Sequence, residues 1–130
     1  MPNKNRIAVN NFVAIDSEYG KIIVNRYCTY QAEYLIKTGR PHIQAELDVI
    51  LKIILLLGDG AVVVDAGANV GLVTIPIAQA IHSSGGHVLA FEPQRMMSYA
   101  LSGSAALNDL NNVIVFNKEI GRASCRERVW

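Results

Sequence analysis

The chain has 130 residues, 51% of them apolar and 18% charged, with a net charge of +1. That size and balance describe one globular domain, and a charge so near neutral gives no electrostatic case for nucleic acid or a membrane surface. The longest apolar run, 49–57, is broken by Lys52 and falls short of the about 20 residues a membrane span needs, and residues 1–11 lack the apolar core of a secretory signal.

Residues 1–11 are polar and expected to fray. The β-prone runs 12–15 and 22–27, with Gly20 between them, predict a hairpin. Residues 30–41 read equally well as helix or extended chain, because Tyr34, Leu35 and Ile36 are consecutive; Gly39-Arg40-Pro41 ends whatever precedes it. Ile43, Leu47, Ile50, Leu51, Ile54 and Leu55 recur at helical spacing and predict a helix burying one broad face. Pro41 ahead of it and Gly58-Asp59-Gly60 behind it are fitting boundaries.

Residues 61–65 are too short for a helix and rich in valine, which predicts a strand buried on both faces of a parallel sheet. A helix follows over 71–81; Pro76 inside it is expected to forfeit a bond to the carbonyl of Leu72 and to kink the first turns. Residues 87–91 read as a second strand, 93–110 as a helix and 113–116 as a third strand. Strand–helix–strand–helix–strand with these loops predicts an α/β sheet with right-handed parallel crossovers.

Chemistry concentrates at two strand tips. The run VVVDAGANVG (62–71) passes from a strand through a Gly-x-Asn-x-Gly turn into a helix N-terminus, an arrangement able to close around a small anion. Gly67 permits the positive φ that leaves the strand, Gly71 lets the helix pack closely and leaves room for a ligand, and Asn69 tolerates left-handed geometry. Asp65 can receive a cationic amine or hold loop amides. Glu92, at the tip of the second strand, is positioned to accept bonds from ribose hydroxyls.

A dinucleotide fingerprint would carry a glycine where Asn69 stands and a small residue where Leu72 stands. Bulk at both points disfavours a pyrophosphate. S-adenosylmethionine (SAM) fits better, with its carboxylate at the helix end, its amine at Asp65 and its ribose at Glu92. His42, His82 and His87 lack metal-ligand spacing and no metal is expected. Met96 and Met97 read as packing residues, and Glu46 as an exposed helical acid.

The segments VVVDAGANVGLVTI (62–75), AFEP (90–93) and ALNDLNNV (106–113) resemble the FkbM-type methyltransferases, a branch of the class I SAM-dependent enzymes. The resemblance covers about 46–116. It implies a Rossmann-like, doubly wound parallel sheet and methyl transfer, often to a hydroxyl oxygen of a sugar or natural product. It also implies cofactor contacts from Asp65, Ala66, Gly67, Asn69 and Gly71, a ribose contact from Glu92, and an approach to adenine by Asn117. The family's fourth strand and later acceptor pocket have no counterpart, so no catalytic base is assigned and only the N-terminal cofactor-binding half is expected. A small-molecule acceptor is the expected partner. Two rival readings remain: a cofactor-binding module without turnover, and an NAD-dependent oxidoreductase.

The run IGRASCRERVW (120–130) has no apolar period and an abrupt change of composition; it resembles a translated sequencing-library adapter and is read as a non-native tail. Without it the net charge becomes −1 and Cys28 is the lone cysteine, which fits a reducing, cytoplasmic setting. The expected organisation is an N-terminal extension with a hairpin (1–42), a partial SAM-binding domain (43–119) and the tail (120–130). With its next neighbour missing, the first strand of that domain is expected to be a bare edge prone to self-association, unless the hairpin covers it.

Overall fold

The structure is a computed structural model and describes residues 10–121. The fraying expected before Asn10 and the tail beyond Gly121 lie outside the described residues. In chain order the elements are β1 (Phe12–Ser17), β2 (Gly20–Asn25), α1 (Thr29–Thr38), α2 (Gln44–Leu55), β3 (Val62–Ala66), α3 (Thr74–His82), β4 (His87–Phe91), α4 (Arg95–Leu107) and β5 (Val113–Phe116).

β1 and β2 form the expected antiparallel hairpin, closed by Glu18 and Tyr19, with Ser17 paired to Gly20. Gly20 takes φ +85°, which a side chain would strain, and a Cβ there would run into Asn108 of the α4 C-terminus. The hairpin does not cover the edge of the larger sheet. It leans on α4 instead, where polar side chains satisfy its outer edge: Ser104 Oγ accepts the N–H of Ile23 at 2.8 Å, and Asn108 Oδ1 accepts that of Lys21 at 3.0 Å. Asn108 Nδ2 returns a bond to the Lys21 carbonyl at 2.7 Å, so this strand edge is capped by α4 rather than left open.

The ambiguous 30–41 stretch is helical. α1 buries Ala32 and Leu35 against the hairpin and stops at Gly39, whose left-handed backbone (φ +69°) lets its N–H bond the Leu35 carbonyl at 2.8 Å. α2 is present as expected, but its buried face is narrower. Leu47 and Ile54 are buried and Ile50 and Leu51 half-buried, while Leu55 points to solvent.

β3, β4 and β5 form a parallel sheet in that order, in register from Val62 opposite His87 to Phe91 opposite Phe116. Val63, Val88, Ala90, Val113 and Val115 face α2, α3 and α4, and with Leu47, Ile75, Ile81 and Leu101 they form the main core. A second core joins β1, β2 and α1 to Val70, Leu72 and Ala100.

The opposite sheet face corrects the expectation of a strand buried on both sides. Val62 is 62% exposed, Val64 56% and Ile114 45%. On the same face the rings of Phe91 and Phe116 stack, 4.7 Å between centroids. Among the described residues every helix packed on this sheet lies on the other side, so a doubly wound arrangement is not seen. Two successive crossovers of the same hand in a β3–α3–β4–α4–β5 run fall on one face, and an unbroken valine run reads the same whether one face is covered or two. β3 is an edge strand, as expected.

α3 begins at Thr74, three residues later than expected. Pro76 interrupts the i→i−4 series at that start, as expected: the N–H of Ile75 bonds the Gly71 carbonyl at 2.9 Å and that of Ile77 the Val73 carbonyl at 3.2 Å, while Pro76 has no N–H to offer the Leu72 carbonyl between them. α4 runs from Arg95 to Leu107, shorter at both ends than expected, and Met97 packs against the second core whereas Met96 is exposed.

Candidate functional site

β3 and β4 lie side by side and in register, so their C-terminal tips bring Asp65 and Glu92 to one end of the sheet. The loop 67–71 crosses that end and is fastened to β4. The N–H groups of Gly67 and Ala68 both bond the Phe91 carbonyl, at 2.9 and 3.0 Å. Glu92 completes the attachment: its Oε2 accepts the N–H of Asn69 at 2.8 Å and its Oε1 that of Gln94 at 2.7 Å. The residue is only 5% exposed. A carboxylate has about four acceptor positions, so two bonds to N–H groups leave lone pairs for further donors such as vicinal hydroxyls.

Within the loop, Gly67 (φ +81°), Asn69 (φ +51°) and Gly71 (φ +95°) all hold the left-handed geometry that their residue types suggested. The two glycines serve different ends. A Cβ added at Gly67 meets nothing within 4 Å, so that position faces open space. One added at Gly71 would strike the Leu101 side chain of α4, so the bare Cα there serves helix packing.

The expectation that the loop's own amides enclose an anion needs correction. The N–H groups of Gly67, Ala68, Asn69, Val70 and Gly71 are all bonded within the protein, Val70 to the side chain of Asn69 at 2.8 Å and Gly71 to the Ala68 carbonyl at 3.0 Å. The N–H groups of Leu72, Val73 and Thr74, at the approach to α3, have no partner among the described residues. The donors and positive end dipole available to an anion are therefore those of the helix start.

Asp65 does not hold loop amides. Its Oδ2 accepts the hydroxyl of Thr74 at 2.6 Å. Burial raises its carboxyl above the ordinary value; the Thr74 bond opposes that shift, and the negative charge of Glu92 adds to it. A cation arriving beside Asp65 would relieve the repulsion. Thr74 escaped the sequence reading because a buried threonine in an apolar helix start looks like packing. Its signal was its spacing from the strand-tip acid.

A cleft of about 220 Å³ opens beside Asp65, Gly67, Ala68, Asn69, Leu72 and Val73. Its far wall is Gln31, His42 and Ile43, from α1 and the turn into α2. Glu92 lies outside this lining, at the neighbouring strand tip. Ala66 ends β3 and is exposed, and Asn117 sits just past β5. Asn117 Nδ2 donates to the carbonyls of Glu92 and Pro93, both at 2.9 Å, so it braces the turn that carries the acid. Leu72 is packed in the second core, which removes half of the steric case against a pyrophosphate; Asn69 carries the rest. Glu46, His82 and His87 are exposed and outside the cleft, and among the described residues no group of three candidate ligands could hold a metal ion.

No family model matches this chain, and no curated protein does. Solved structures do. A coclaurine N-methyltransferase bound to N-methylheliamine and SAH is similar at a TM-score of 0.52 and 25% identity, over 58% of this chain and 22% of that one. A SAM-dependent O-methyltransferase from Thermotoga maritima is similar at 0.55 and 18%, over 83% and 41%. TYW2 of P. horikoshii, in complex with MeSAdo, is similar at 0.59 and 16%, over 85% and 37%. The chain spans less than half the length of each. Its fold is one found in SAM-dependent methyltransferases. No helix among the described residues is long and apolar enough to cross a membrane.

Proposed function

We propose that this chain is the cofactor-binding part of a SAM-dependent methyltransferase of the FkbM type, acting on a hydroxyl oxygen of a small molecule such as a sugar or natural product. The observation that carries the reading is the placement of Glu92: a buried carboxylate at the β4 tip, bonded to the 67–71 loop and retaining free lone pairs, next to the open space over Gly67. The residues fit the group. Glu92 would accept the ribose hydroxyls, Asp65 the ammonium, and the helix start at Leu72 and Val73 the carboxylate. Asn117 would keep the Glu92 turn in place at the adenine side.

When bound, SAM supplies a methyl group made electrophilic by its sulfonium. The residues here would bind and orient. Asp65 and Glu92 hold the two ends of the cofactor, and the fastened loop keeps them from shifting, so that effective concentration at the acceptor supplies most of the acceleration. No base is assigned among residues 43–119. Those residues are the partial methyltransferase domain of this reading, 1–42 its extension and 120–130 a non-native tail. The whole enzyme would be cytoplasmic, and this fragment would bind cofactor without turning it over.

Titration calorimetry with S-adenosylhomocysteine and with NADH tests the reading. Saturable binding of S-adenosylhomocysteine and none of NADH is expected; the reverse pattern would give the chain to the NAD-dependent oxidoreductases.

A further inference from the structure

The segment before α2 contributes one wall of the cleft, Gln31, His42 and Ile43. Gln31 projects from α1 and His42 from the turn between the helices, across from Asp65 and Asn69. That turn is held in place: Pro41 is buried, the N–H of Gln44 bonds its carbonyl at 3.1 Å, and Leu47 bonds that of Ile43 at 2.9 Å. The Tyr30 ring meets the imidazole edge-on, 5.1 Å between centroids. The imidazole is thus positioned by aromatic packing, yet its Nδ1 is shielded from solvent and has no hydrogen-bond partner among the described residues. With Nδ1 sealed off, Nε2 is the ring nitrogen left to meet a ligand in the cleft.

An amino-acid end carries an ammonium and a carboxylate. Asp65 matches the first. Among the residues lining the cleft there is no Lys or Arg to match the second, and the side-chain N–H donors facing Asp65 across it belong to His42 and Gln31. We infer that His42, seconded by Gln31, binds the carboxylate of the cofactor's amino-acid end, opposite the free N–H groups of Leu72 and Val73. This rests on the cofactor reading above and extends it to a residue in the N-terminal extension. The amino-acid end is then held from two segments of chain, one on each side of the cleft.

The test compares two thioether nucleosides, S-adenosylhomocysteine and 5′-methylthioadenosine, the second lacking the amino-acid end. Calorimetry on the unaltered chain, His42→Ala and His42→Gln should show His42→Ala weakening S-adenosylhomocysteine by about tenfold to a hundredfold. Methylthioadenosine should be unchanged within about twofold, since it makes no bond to the imidazole. His42→Gln, which keeps a donor, should recover part of the loss. Equal S-adenosylhomocysteine affinity in His42→Ala, or equal weakening of both ligands, overturns the inference and leaves the cofactor reading standing. If the unaltered chain binds neither ligand, the cofactor reading falls and takes this inference with it. Melting curves on each variant separate lost contacts from lost fold.

Discussion

Glu92 Oε2 accepts the backbone N–H of Asn69 at 2.8 Å, so the acid on one strand tip fixes the loop that leaves the next strand. One side chain thereby shapes the loop with two of its acceptor positions and keeps others unfilled among the described residues. Glu92→Ala leaves the N–H groups of Asn69 and Gln94 unpaired. Hydrogen bonds to a charged group contribute about 1.5–3 kcal/mol each, so a lower denaturation midpoint and an affinity for S-adenosylhomocysteine reduced about 10- to 100-fold are expected. Unchanged affinity in a folded variant would remove Glu92 from the site.

Asp65 gives a pH signature with opposite signs for folding and binding. Its folded carboxyl lies above the ordinary value of 3.8, chiefly through burial, so the folded chain holds that proton more tightly than the unfolded one. This group's contribution to stability therefore falls as pH rises from 3.8 through the raised folded value. Asp65→Asn should raise the melting temperature at neutral pH while retaining an acceptor for Thr74. A ligand ammonium favours the ionised carboxylate, so affinity should fall as pH drops through the raised value, and Asp65→Asn should lose that dependence. Calorimetry and thermal melts over a pH series read both effects.

The two loop glycines should separate stability from binding. Gly71→Ala forces a methyl into Leu101 at φ +95°, and left-handed strain plus overpacking should cost about 2–4 kcal/mol. Gly67→Ala, at φ +81° but with open space ahead, should cost only about 1–2 kcal/mol and mainly weaken ligand binding. Chemical denaturation and calorimetry on the pair check the ordering.

Among the described residues one sheet face is uncovered and the β3 edge unpaired, which should make this chain associate with itself. Val62 and Val64 are exposed apolar side chains on a strand with free backbone groups, a template for pairing. Val62→Lys and Val64→Lys should reduce association in gel filtration and leave the melting temperature near its original value. A monodisperse monomer before substitution would contradict the prediction.

Much of this site could be read without coordinates, because its signals are local. Asp65 and Glu92 each follow a short β-branched or apolar run, and Gly67, Asn69 and Gly71 announce left-handed turns by residue type. Other features depend on segments far apart in the chain. His42 comes to share a cleft with Asp65 and Asn69 only after α1 packs on the hairpin and α2 on α3, and Thr74 acquires its role from the way the loop turns back. Leu72 looked like an obstacle to a ligand because its burial against the hairpin could not be foreseen. α1 was undecidable because Tyr34, Leu35 and Ile36 suit either helix or strand, and packing of Ala32 and Leu35 on the hairpin decides it. The valines of β3 carry no mark of which face would be covered.

The most direct measurement is an amide NMR titration of the labelled chain with S-adenosylhomocysteine. Saturable shifts are expected at Gly67 through Val73, at Glu92 and Gln94, and at Asn117. Shifts that map to another surface, or no shifts at saturating ligand in a folded sample, would contradict the cofactor reading.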